Sequence, residues 1–159
     1  GLDKCLYIGN LDSQRDWGHA RDYVYMQWLM MQQEIPEDFV IATGKMITVR
    51  EFIELCAQEL GWNNKKSNNG ILWEGEGINE IGRRADTGEI VIRVDPRYFR
   101  PTEVEELLGD SSKARKKLNW QPRISIEELI SEMIDEDSKE SKKESILKKK
   151  GFSVYSSKE

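Results

Sequence analysis

The sequence predicts an α/β domain, and three observations predict it. Short apolar runs closed by Gly, Asn or Pro read as strands. Longer apolar-periodic segments that begin with helix-start chemistry alternate with them. The last third carries two capping-box spacings, Thr102 with Glu105 and Ser125 with Glu128, so it reads as helical.

Taken in order, residues 5–8 form a short strand that ends in the Gly9-Asn10 turn, and a polar stretch follows to Trp17. Residues 18–33 form a helix. Its apolar positions Tyr23, Val24, Met26, Trp28, Met30 and Met31 cover more than one stripe, which predicts burial on a wide front. Pro36 ends that helix in a loop, and residues 39–43 (Phe-Val-Ile-Ala-Thr) read as a buried strand closed by Gly44. Thr48 and Glu51 make a further capping box, so a helix is expected over 49–60 with Gly61 as its C-cap. A polar loop at 63–70, a strand at 71–73, a glycine-bearing loop at 75–88 and a strand at 89–94 come next. Helices are then expected at 103–108, at 111–118 behind Asp110, and at 126–136. The mixed charges of 135–150 suit a solvated helix or a disordered extension. The division this implies is a domain over 1–136 and a charged extension over 137–159.

Charge and residue inventory exclude several classes. The 159 residues carry a net charge of −5, which argues against a nucleic-acid binder, since phosphate neutralisation needs an excess of Lys and Arg on one face. No apolar run is long enough to span a membrane, and the first residues lack a signal-peptide pattern, so a cytoplasmic setting is expected. His19 is the one histidine, so a His-based metal site is close to excluded and a Ser-His-Asp triad would rest on it alone. Cys5 and Cys56 offer no metal spacing and read as reduced core thiols.

Two patterns of redox chemistry are missing. Gly75, Gly77 and Gly82 miss the G-x-G-x-x-G spacing by two residues, and Glu76 between them would face a pyrophosphate unfavourably, so a flexible loop is the expectation there. No tyrosine is followed four residues later by lysine. The arginines are more informative: Arg15 precedes a helix start, and Arg97 and Arg100 precede the capping box at Thr102, so each could stand beside the free amides of a helix N-terminus and bind an anion. The plainer alternative is ion pairing, of Arg15 with Asp16 or of Arg100 with Glu103.

These same residues belong to three long segments, Gly-Asn-Leu-Asp-Ser-Gln-Arg-Asp-Trp-Gly-His-Ala-Arg-Asp-Tyr-Val at 9–24, Pro-Glu-Asp-Phe-Val-Ile-Ala-Thr-Gly at 36–44 and Val-Asp-Pro-Arg-Tyr-Phe-Arg-Pro-Thr-Glu-Val at 94–104. Together with Leu108-Gly109-Asp110 and Leu118-Asn119-Trp120-Gln121-Pro122, they closely resemble the GDP-mannose 4,6-dehydratase family. The resemblance implies the C-terminal, substrate-binding part of an extended short-chain dehydrogenase/reductase fold, with the Rossmann half absent and no catalytic residue in this chain. It implies that the family converts GDP-mannose to GDP-4-keto-6-deoxymannose with NADP, which the missing N-terminal half would bind. It further implies that Arg15 and Arg100 contact the diphosphate, that Asn10 and Val40 line the nucleotide pocket, and that Glu103 accepts from the ribose hydroxyls. Arg97 is a further candidate or a structural residue. A homo-oligomer, dimer or tetramer, is the implied assembly. A free-standing GDP-sugar binding or regulatory module without catalysis is the alternative.

Overall fold

The computed structural model describes residues 4–65, 67–104 and 106–153. Its strands make two small sheets. Strand β1 (Leu6–Ile8) pairs in parallel with β6 (Ile90–Val94); β6 pairs antiparallel with β5 (Ile81–Arg84), and β5 antiparallel with β4 (Ile71–Glu74). The second sheet is built from two-residue strands: β2 (Gln14–Arg15) lies between β3 (Ile47–Thr48), antiparallel, and β7 (Glu106–Leu107), parallel. The helices are α1 (Ala20–Met31), α2 (Val49–Glu59), α3 (Ser112–Leu118) and α4 (Ile126–Lys149).

Helix α2 starts where its chemistry predicts. The Thr48 hydroxyl accepts the Glu51 N–H at 3.0 Å and Glu51 accepts the Thr48 N–H at 2.7 Å, which satisfies two of the donors a helix start leaves free. Its Ala57 packs with Ile71 and Ile92 of the larger sheet, flanked by Ile53, Trp62 and Trp73. A second core joins α1 to α3, with Met26, Ala114, Leu118 and Trp120 buried and Tyr23, Met30, Phe39 and Ile41 against them. Trp120 is 1% exposed, and its indole N–H still finds a partner, donating to the Asp22 carbonyl at 3.1 Å.

Four expectations are corrected here. Residues 39–43 form no strand: Thr43 and Gly44 give their N–H groups to the Asp16 carboxylate at 2.9 and 2.8 Å, and Lys113 and Arg115 donate to the carbonyls of Asp38 and Thr43. Side chains thus take backbone groups at both ends of the segment that a ladder would otherwise use. No helix follows Thr102. Arg15 donates to the Val104 carbonyl and to Glu103, and β7 pairs with β2, so long-range bonds displace the local cap; Glu105 of that capping box lies outside the described residues. The glycine segment is no loose loop but a short 3-10 turn (Gly77–Asn79) running into β5. Helix α1 is covered along one stripe only, with Met26 fully buried and Val24 and Met31 61% and 80% exposed.

Helix α4 begins with its Ser125–Glu128 capping box and continues without a break to Lys149, about 36 Å. Lys139 pairs with Asp135 and Glu136, and Lys143 with Glu140, one helical turn away in each case. Residues 154–159 of the charged extension lie outside the described residues. Among the described residues no helix is long and apolar enough to cross a membrane, and no cluster of metal-ligating side chains occurs.

Candidate functional site

The candidate residues converge where the end of β1 meets the turn that follows β6. Gly9 makes the approach feasible, because a Cβ there would run into the Tyr98 carbonyl oxygen. The backbone then closes the contact: the Asp95 N–H donates to the Ile8 carbonyl at 2.9 Å, and the N–H groups of Tyr98 and Phe99 donate to the Asp95 carbonyl. Asn10 locks the next step. Its side-chain N–H donates to the Arg100 carbonyl at 2.8 Å and its side-chain oxygen accepts the Arg100 N–H at 2.8 Å, a two-point clamp across 90 residues of sequence.

Beside this clamp, β2 presents Arg15. Its Nη1 donates to the carbonyls of Gln14 and Val104 at 2.7 and 2.9 Å, and its Nη2 donates to Glu103 Oε1 at 2.7 Å. The other oxygen of Glu103 lies 3.8 Å from Arg100 Nη1. Arg100 is therefore attracted without being tied, and its side chain is 77% exposed. Asn10, Arg15, Arg100 and Glu103 thus form one cluster with two guanidinium groups around one carboxylate. An open cavity of about 420 Å³ adjoins it, lined by Asn10, Asp12, Phe99, Pro101, Glu103 and Glu106 among others.

The other two candidates sit differently. Arg97 is committed to Asp95, with Nη2 to Oδ2 at 2.7 Å and its backbone N–H to Oδ1 at 2.8 Å, and its guanidinium lies over the Tyr98 ring. Those bonds hold the Asp95 carboxyl below the usual carboxylate range. Val40 is about half exposed and lies over Gly109, just past β7, where a Cβ would collide with Ala42. None of the three arginines stands at a helix N-terminus: Arg15 is in a strand, Arg97 is in a turn and Arg100 precedes a turn.

The ion-pair alternatives resolve in part. Arg15 pairs with Glu103, and Asp16 instead clamps Thr43 and Gly44, taking the Thr43 hydroxyl as well at 2.7 Å. That clamp fixes the Val40 segment relative to β2. A second support escaped sequence reasoning altogether. Arg50 at the start of α2 bonds the buried Glu80, donates to Asp12 at 2.9 Å and lies 4.8 Å from the Trp73 ring centroid, so it braces the cavity wall against the larger sheet. Neither Asp16 nor Arg50 has a spacing that points to its distant partner. His19 is the N-cap of α1, its Nδ1 accepting the Arg21 N–H at 3.0 Å, which is a structural role. Cys5 and Cys56 are unpaired and partly covered, and burial pushes both thiols up.

The glycine cluster at 75–82 does not fit a dinucleotide fingerprint. It lies in a hairpin between antiparallel β4 and β5, no α-helix N-terminus follows it, and Glu76 stands among the glycines.

Solved structures place this architecture. A putative epimerase from Burkholderia cenocepacia matches 83% of the chain with a TM-score of 0.62 at 20% identity, over 35% of its own length. A UDP-glucose 4-epimerase from Thermotoga maritima matches 85% of the chain with a TM-score of 0.59 at 23% identity, over 35% of its own length. The fold is therefore a part of the extended short-chain dehydrogenase/reductase fold. Sequence narrows it further. The family model described as GDP-mannose 4,6 dehydratase matches residues 1–133, and a GDP-mannose 4,6-dehydratase from Yersinia enterocolitica is 53% identical over 97% of the chain. The chain belongs to the GDP-mannose 4,6 dehydratase family. It spans 42% of the length of that relative.

Proposed function

We propose that this chain is the substrate-binding portion of a GDP-mannose 4,6-dehydratase, which converts GDP-mannose to GDP-4-keto-6-deoxymannose by NADP-dependent internal redox and loss of water. The observation that carries the reading is the gathering of Arg15, Arg100, Glu103 and Asn10 at one cavity edge. In this reading Arg15 and Arg100 neutralise the diphosphate, with the planar guanidinium forks matching its oxygens. Glu103 accepts from the ribose hydroxyls. Asn10 and Val40 line the nucleotide pocket, Asn10 also fixing the backbone of Arg100. Arg97 supports the turn through Asp95.

In this reading NADP and the catalytic residues belong to parts of the enzyme outside this chain, which spans 42% of the length of the Yersinia relative. Residues 1–136 form the substrate domain and 137–159 a charged extension; the enzyme is cytoplasmic, assembles as a homo-oligomer and serves nucleotide-sugar and deoxysugar synthesis. The test is Arg100→Ala in the intact protein. GDP-mannose binding weakens by roughly tenfold to a hundredfold, the equivalent of losing a charged hydrogen-bond partner, while NADP affinity stays the same. Unchanged GDP-mannose affinity would refute the assignment.

A further inference from the structure

Glu103 occupies the position that an anion would take between the two arginines. The Arg15 guanidinium is anchored by the backbone, since its Nη1 gives bonds to the carbonyls of Gln14 and Val104. Its Nη2 donates to Glu103 Oε1 at 2.7 Å, so the carboxylate stands against the edge of the guanidinium that is not spent on backbone carbonyls. Arg100, at 3.8 Å from Oε2, is drawn to the same carboxylate. The cavity beside them is lined by three carboxylates, Asp12, Glu103 and Glu106, and by no arginine or lysine among the described residues. Asp12 is engaged by Arg50.

We propose that Glu103 is a built-in competitor for the anion, so that the site admits a diphosphate only when the same ligand brings hydroxyl donors for the displaced carboxylate. This rests on the reading of Arg15 and Arg100 as diphosphate ligands. A bare diphosphate that reaches Arg15 either displaces Oε1 or binds next to it, and in both cases its negative charge lies beside the Glu103 carboxylate, which is costly in a partly desolvated cleft. A nucleoside or sugar diphosphate reaches the same arginines and donates its hydroxyls to the released carboxylate, restoring the lost bonds. The acidic lining thus becomes a filter that selects diphosphates carrying a polyol and rejects free inorganic anions.

The experiment compares inorganic pyrophosphate and GDP as probes, by titration calorimetry on the intact protein and its variants. Glu103→Gln removes the charge and keeps the size; it binds pyrophosphate about tenfold more tightly than the parent, and the preference for GDP over pyrophosphate shrinks. Glu103→Ser, which also removes the amide oxygen that could still hold Arg15, moves in the same direction. Unchanged pyrophosphate affinity in both variants, with GDP binding still weakened by Arg100→Ala, overturns the competitor role and leaves the site standing. GDP binding indifferent to Arg100→Ala overturns the site and the competitor with it.

Discussion

The sheet β1-β6-β5-β4 with α2 against it, and the patch β3-β2-β7 with the turn at 95–104, are neighbours held together by different means. The first has strands of three to five residues, a ladder broken by a register shift between Gly82 and Arg83, and a buried face closed by Ala57, Ile71 and Ile92. The second has strands of two residues, and its geometry comes from side chains that grip distant backbone: Asn10 on Arg100, Arg15 on Val104, Asp16 on Thr43 and Gly44. In the sheet, loss of one side chain removes area from a shared core. In the patch, loss of one side chain removes a direct bond between two segments of backbone that short strands hold only weakly, so the site's shape is sensitive to each of these groups.

That contrast can be broken by substitutions chosen on either side of it. The largest effect belongs to the core of the sheet: Ile92→Ala leaves a cavity against Ala57 and Ile71, and it should lower global stability by about 2–5 kcal/mol in a denaturant titration. Asp16→Ala follows at about 1–3 kcal/mol, through the N–H groups of Thr43 and Gly44 that lose their acceptor. Hydrogen exchange should show its signature, faster exchange around residue 43 with α2 unaffected; uniform acceleration along the whole chain would show that the clamp serves the core. Thr48→Ala removes one end of the α2 capping box and should cost about 1 kcal/mol, visible as a small drop in melting temperature with ligand affinity unchanged.

The mildest test uses pH. The Asp95 carboxyl is depressed in the folded state by Arg97, so its contribution is fully present above the ordinary carboxylate value of about 3.9 and is lost as pH falls through its own lower value. The parent should therefore lose melting temperature below about pH 4 more steeply than Asp95→Asn, which has no carboxyl to protonate there. Parallel curves would show that the pair with Arg97 holds the turn without stabilising the fold.

The same contrast explains what could be read beforehand. Helix α2, strands β1, β4 and β6, and the starts of α3 and α4 follow from local chemistry: a cap, a periodicity, an apolar run. The failures lie where a distant partner wins. Residues 39–43 have a strand's composition but end at Thr43 and Gly44, whose amides go to Asp16, and Thr102 has a cap's spacing but loses its helix to Arg15 and β2. Helix α1 shows that composition reveals apolar residues without revealing which face finds a neighbour. For the site, physical reasoning reached only a set of arginines that could bind an anion, because Glu103 lies 88 residues from Arg15 and no local pattern joins them. The long motif resemblance brought them together, and the structure places four of its six site residues in one cluster.

A histidine cap on α1 is an unusual choice, and it turns the chain into its own spectroscopic probe. His19 is nearly buried, its Nδ1 takes the Arg21 N–H, and its Nε2 lies 3.5 Å from Glu132 on α4. As the sequence holds one histidine, its Cε1–H gives one magnetic-resonance signal, with no second imidazole to confuse its assignment. That signal reads the seating of α1 against α4 directly, without a label and without a substitution.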